Sequence, residues 1–232
     1  MVDVAPELLE AIQKEFQENL TKNSTVIRIK KLIDAGTATY VDGNEYAAEV
    51  GQLLANAFRN NLSSAVLPEG RMYYNIADRI LSPTLGYNHD LVSKVASQIQ
   101  TNLNKAGGIG IKAIKIPLDK SRIKGLIDRV SNEIEYDKVA WILDQPVVNY
   151  TQAIIDNTIK ANADMHFRAG LNPVIVRTPS GGACDWCREV SGTYAYPNVP
   201  DEVYRRHDNC YCSVDYVPGD GRNQNVHSKR WR

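Results

Sequence analysis

Four cysteines and a histidine carry the most distinctive chemistry of this chain, and all five fall between residues 184 and 212 of a 232-residue sequence. They stand as Cys184-x2-Cys187, then a 19-residue interval, then His207-x2-Cys210-x-Cys212. A Cys-x2-Cys turn folds its second sulfur back beside the first, and a second ligand pair brought up by a loop completes a tetrahedral zinc shell. A Cys-x-Cys pair in extended chain sends both sulfurs to one side, because strand side chains alternate with period two. His207 lies one turn earlier and can supply a nitrogen in place of one sulfur. Five candidate ligands compete for four places, and spacing leaves the choice open. A pair of disulfides, free buried thiols and a redox Cys-x2-Cys are the competing readings. The ligand count favours a structural metal. Against a catalytic one, Glu189 and Asp208 are the nearby carboxylates and neither stands at a telling spacing for activating water.

Other segments with chemical promise read more simply as structure. AGGIGIKAIKI has glycines but lacks the Gly-Lys-Ser/Thr ending and the strand-before, helix-after context of a phosphate loop. TPSGGAC lacks the spacing of a nucleophile elbow, so Ser180 belongs to the turn that presents Cys184. His89, His166 and His227 are scattered and read as surface or partly buried polar residues.

The elements that must position the cluster are mainly helices. Pro6 suits a first turn, and Leu9, Ile12, Phe16 and Leu20 follow on one face. VIRIKKLIDA, capped by Ser24 or Thr25 and closed by Gly36, makes a second helix. TATYVDGNEY predicts a turn or short hairpin at Asp42-Gly43. A helix then carries Tyr46, Val50, Leu53, Leu54, Ala57 and Phe58 on one stripe. Pro68-Glu69-Gly70 and Pro83 bound a shorter helix, RMYYNIADRIL, and Asp90 opens another with Leu91, Val95, Ile99 and Leu103 as its buried row. IGIKAIKIP predicts a short strand. SRIKGLIDRVSNEI and DKVAWILD follow, and a long helix runs from Pro146 to about Arg168. From Pro173 the texture changes, with β-type runs at VIVRT and VDYVP.

Hydrophobic residues make up 43% of the chain and charged residues 23%, the ordinary balance of a globular protein with a buried core. Net charge is zero, which argues against a protein working mainly by neutralising phosphates. No apolar run approaches a membrane span. The acidic start, MVDVAPELLEAIQKEF, does not read as a signal peptide, so a reducing cytoplasm is the expected site of synthesis.

A strand leading to Cys-x2-Cys, Gly192 after it, a loop, His-x2-Cys-x-Cys and a β-type run resemble the C-terminal module of phage Mu protein F-like minor head proteins. DEVYRRHDNCYCSVDYVPGDGRNQNV is especially similar to versions from phages and prophages of Gram-positive bacteria. The resemblance covers residues 173–226, about a quarter of the chain. It implies a structural protein of a tailed-phage head without enzymatic activity. Its expected place is the virion, after assembly in the host cytoplasm. There it would associate with the portal protein and with scaffolding or major capsid protein, with packaged DNA as a further partner, and assist assembly, packaging or ejection. Carried over, the module's ligands fall on Cys184, Cys187, His207, Cys210 and Cys212. Tyr211 departs from the basic residue that many relatives place between the last two cysteines.

The expected fold class is α+β and predominantly α. An α-rich region over 1–145, suited to binding portal or scaffold, is followed over 146–217 by a long helix and a small zinc-stapled, β-containing module, with a basic tail over 218–232. Arg205, Arg206, Lys229, Arg230 and Trp231 are candidate contacts to nucleic acid or an acidic partner. The alternatives are a zinc-stabilised nucleic-acid-binding protein using those cations, and a nuclease-type enzyme with His207 and Asp208 in its site.

Overall fold

The computed structural model of the chain describes residues 3–218. Six helices form the body: α1 (Ala5–Lys22), α2 (Ser24–Asp34), α3 (Tyr40–Asn61), α4 (Tyr74–Ala106), α5 (Lys120–Ser131) and α6 (Gln145–Arg168). A small sheet follows, made of β1 (Val174–Thr178), β2 (Gly192–Ala195) and β3 (Ser213–Val217), with the one-and-a-half-turn helix α7 (Asp185–Glu189) between β1 and β2. The chain is thus mostly helical with a three-stranded antiparallel sheet at its C-terminal end, in the order β2-β1-β3. No helix among the described residues is long and apolar enough to cross a membrane.

The helices form where apolar periodicity meets a cap. In α1, Ile12, Phe16 and Leu20 fill one buried stripe behind a proline in the first turn. Asn23, rather than the expected Ser24 or Thr25, caps α2 by accepting the Val26 N–H at 2.9 Å, and Ser24 is already the first helical residue. The expected hairpin at Asp42-Gly43 is instead the first turn of α3. The Asp42 carboxylate reaches back to accept the Thr39 N–H at 2.9 Å, and that cap outweighs the turn preference of Asp-Gly. Gly43 serves packing rather than turning, since a Cβ there would lie 3.0 Å from Ile99.

Pro83 likewise fails to end a helix. It lies inside the 33-residue α4, which joins the two helices expected on either side of it. Its ring is exposed while Ile80, Leu81, Thr84 and Leu85 beside it are buried, so tertiary packing holds the helix through one lost hydrogen bond.

The short strand expected at IGIKAIKIP does not form, and the segment joins no sheet. A helix residue takes the place of a neighbouring strand: Asn162 of α6 accepts the Ile114 N–H at 2.8 Å and donates to the Ile114 carbonyl at 3.1 Å. DKVAWILD is a pair of short 3-10 turns, Tyr136–Lys138 and Ala140–Leu143.

α3 and α6 pack against each other at the centre, with Gly51 of α3 letting the backbones close in. A Cβ on Gly51 would stand 2.9 Å from the Val148 Cα. The change of texture at residue 172 marks where helix gives way to sheet, but the apolar core continues across it. Ile175, Val214 and Tyr216 belong to the same buried cluster as the helices. Tyr216 lies edge-on to Tyr40 of α3 and bonds His166 of α6 through its hydroxyl.

Candidate metal centre

Both halves of the Cys/His cluster hang from the end of the sheet. β1 ends at Thr178, and a turn closed by the Ala183 N–H on the Ser180 carbonyl, 3.0 Å, delivers Cys184 to the N-cap of α7. The first turn of α7 bonds the Arg188 N–H to the Cys184 carbonyl at 3.1 Å and brings Cys187 inward. The second half is a tight turn in which the Cys210 N–H reaches the His207 carbonyl at 3.2 Å. Asn209 takes the left-handed conformation there, φ 58°, which asparagine tolerates better than most residues. Cys212 then leads directly into β3, whose first residues pair with the end of β1.

The ligand atoms form two groups, Cys184–Cys187–His207 and Cys187–Cys210–Cys212, each with its atoms within 4.8 Å of one another. Cys187 is common to both. Its sulfur lies 3.8 Å from that of Cys210 and 2.9 Å from the His207 Nε2, and Cys184 Sγ lies 3.4 Å from the same nitrogen. Tetrahedral zinc with ordinary bond lengths sets neighbouring sulfurs about 3.8 Å apart and sulfur from nitrogen about 3.5 Å apart. Two of the three separations match those edges and the third is shorter. The donor set fits a metal ion, and the cluster could hold one.

The surroundings also suit that role. His207 Nδ1 donates to the Asp208 carbonyl at 2.7 Å, which leaves Nε2 as the bare nitrogen facing the sulfurs. Cys187, Cys210 and Cys212 are buried and Cys184 is exposed. Burial pushes the Cys187 thiol up to about 12. At Cys212 burial acts in the same direction, but the Ser180 backbone N–H, the neighbouring sulfurs and the Arg177 charge outweigh it and the thiol is lowered. All four cysteines are free, and the 3.8 Å between Cys187 and Cys210 is far beyond a disulfide bond of about 2.0 Å.

The other candidate site residues scatter. Arg206 cannot reach a phosphate. Its side chain is 2% exposed and clasps Asp156 of α6 through Nε and Nη2, at 2.6 and 2.7 Å. It also donates to the Cys212 carbonyl and to the Asn44 side chain of α3, so it bolts the start of β3 to both central helices. Arg205 is exposed and pairs with Glu202 at 3.3 Å. Asp208 accepts the Asn149 side-chain amide at 3.0 Å. His89 and His166, expected as surface or partly buried polar residues, are buried at 4% and 0% exposure. Lys229, Arg230 and Trp231 lie outside the described residues.

Sequence reasoning missed two residues beside the cluster. Arg177 of β1 is 1% exposed and sends Nη2 to the sulfurs of Cys210 and Cys187, at 3.6 and 3.8 Å. Trp186, between the first two cysteines, has its ring 5.4 Å from the Arg177 guanidinium and edge-on to His207 at 5.6 Å. A signal existed for Arg177: alternation along VIVRT puts it on the face of Ile175, and a charge on a core face is an anomaly. Nothing comparable marked Trp186.

No known family model, curated protein or solved structure matches the chain.

Proposed function

We propose that this chain is a structural and interaction protein of a tailed-phage head whose C-terminal sheet is stapled by zinc. The observation that carries the reading is the Cys/His cluster itself: the five ligand candidates on which the resemblance to the Mu F-like module rests converge where β1 ends and β3 begins. Zinc is the ion preferred by thiolates and one imidazole in a closed tetrahedral site. Bound there, it supplies folding free energy by cross-linking two turns that lie far apart in sequence. Cys187 and Cys210 would hold it from the buried side, and the His207 imidazole is already oriented through Asp208 to present Nε2.

The helical body is the part suited to bind portal, scaffold or capsid protein, with DNA as a neighbour rather than a substrate. Burial of Arg206 removes one of the cations that a nucleic-acid-binding reading needs. Two measurements test the proposal. Elemental analysis of protein purified without chelators should find about one zinc per chain, and less than about half an equivalent with all four thiols titratable removes the staple. Co-expression with the portal protein of the same phage genome should give a complex that co-elutes on sizing. Separate elution of two well-folded proteins removes the portal-associated role.

A further inference from the structure

Among the described residues, the buried cation Arg177 pairs with no carboxylate. Its polar partners are the carbonyls of Val203 and Arg205, through Nη1, and the sulfurs of Cys187 and Cys210, through Nη2. The contrast with Arg206 is direct, since that second buried arginine has Asp156 clasped across two hydrogen bonds. A guanidinium cannot shed its proton at any ordinary pH, so burying one demands a negative partner. Of the groups that Arg177 touches, those able to become negative are the thiols of Cys187 and Cys210. One face of the guanidinium lies near the Trp186 ring, which shields it from solvent on that side.

We infer that Arg177 is the counter-ion of the metal–thiolate centre and the positioning residue that joins its two halves. This rests on the zinc reading above. A divalent ion with three thiolates and one neutral imidazole carries one net negative charge, which a single guanidinium cancels. The other set that the five candidates can form, four thiolates, carries two net negative charges and leaves one of them unbalanced by Arg177. Charge matching therefore selects a three-cysteine, one-histidine set that includes His207, with Cys187 and Cys210 as the two thiolates Arg177 touches. The same side chain sets geometry. It grips the carbonyls at 203 and 205, which precede His207 in the chain, while touching a sulfur from each turn, and so fixes the His207 turn against α7 before any ion arrives.

The test compares Arg177→Met and Arg177→Lys with the wild-type chain. Zinc affinity is read by competition with a chromophoric chelator, and folding by circular dichroism. Both replacements have stems of similar length, but only lysine keeps the charge. If Arg177 balances the thiolates, Arg177→Met binds zinc about 10- to 100-fold more weakly, the usual effect of losing a partner behind a ligand, while Arg177→Lys stays within a few-fold of wild type. In the cobalt-substituted protein the sulfur-to-metal charge-transfer band of Arg177→Met also moves to longer wavelength, because sulfurs that have lost a hydrogen bond give up electrons more readily. A methionine variant that folds only with excess zinc, beside a lysine variant that behaves as wild type, counts as the same result. Equal losses in both variants, a failure of both to fold, or unchanged affinity and band in Arg177→Met overturns the inference. A wild-type chain that binds no zinc instead overturns the reading on which it rests.

Discussion

Cys187 stands where the two ligand groups meet, within reach of His207 on one side and Cys210 on the other. Cys184 belongs to one group and is exposed. Cys187→Ser should therefore abolish zinc binding, whereas Cys184→Ser should weaken it and leave a measurable site. Zinc equivalents after gel filtration decide this, and equal retention by the two variants would contradict the shared role of Cys187. A second prediction at this scale concerns His166, held neutral inside the protein, its pKa pushed down from 6.5 to about 4 by burial. Between those values the unfolded chain takes up a proton that the folded chain refuses. The stability tied to this residue is complete above about pH 6.5 and is lost as pH falls toward 4, on the order of 3 kcal/mol in all. Urea midpoints measured at about pH 7.5 and about pH 5 should fall apart in the wild type and less so in His166→Gln. An unchanged pH slope in that variant would show that other groups carry it.

At the scale of elements, two helical glycines are predicted to behave in opposite ways. Gly51 sits where α3 crosses α6, and a methyl there meets backbone at 2.9 Å, which a flexible side chain cannot relieve. Gly51→Ala should cost about 1–3 kcal/mol through overpacking. Gly86 lies within α4, and a Cβ built on it meets nothing within 4 Å. Gly86→Ala should stabilise by up to about 1 kcal/mol, since the unfolded chain loses freedom and nothing is crowded. Thermal melts of both variants test the pair, and a shift of the same sign in both would refute the contrast. The elements also explain what could be read ahead of time. Helices α1 and α6 were legible because a proline stands in the first turn of each, and α2 because of its apolar period, although its cap is Asn23 and not Ser24 or Thr25. The start of α3 and the continuity of α4 were not, because Asp-Gly and Pro83 send local signals that a long-range packing face overrides. The segment around Ile114 has strand composition, yet its partner is a single asparagine 48 residues away.

For the molecule as a whole, the continuous core sets how far a chelator's effect should spread. Ile175, Val214 and Tyr216 share the helical core, while Ala183, Cys187, Cys210 and Cys212 form a separate small cluster with Trp186 beside it. Removing the ion should release the turns around 179–190 and 205–212 and leave β1, β3 and the helices protected. Amide hydrogen exchange with and without chelator reads this directly, and loss of protection throughout α3 and α6 would mean that the staple holds the entire fold. The candidate site was legible in outline because a metal shell needs particular atoms at particular spacings, and Cys-x2-Cys with His-x2-Cys-x-Cys leaves few other uses for them. Its environment was not. That Arg206 is a buried bolt while Arg205 beside it faces water depends on Asp156, fifty residues earlier in the chain. By itself the sequence determined the helical character, the strands β1 and β3 and the five ligand candidates, since periodicity and ligand spacing are local properties. Only the tertiary structure decided that Cys187 links both ligand groups, that Arg177 lies against the sulfurs, and that helices and sheet share one core. Those outcomes depend on which distant surfaces exclude water together, and no local spacing encodes that.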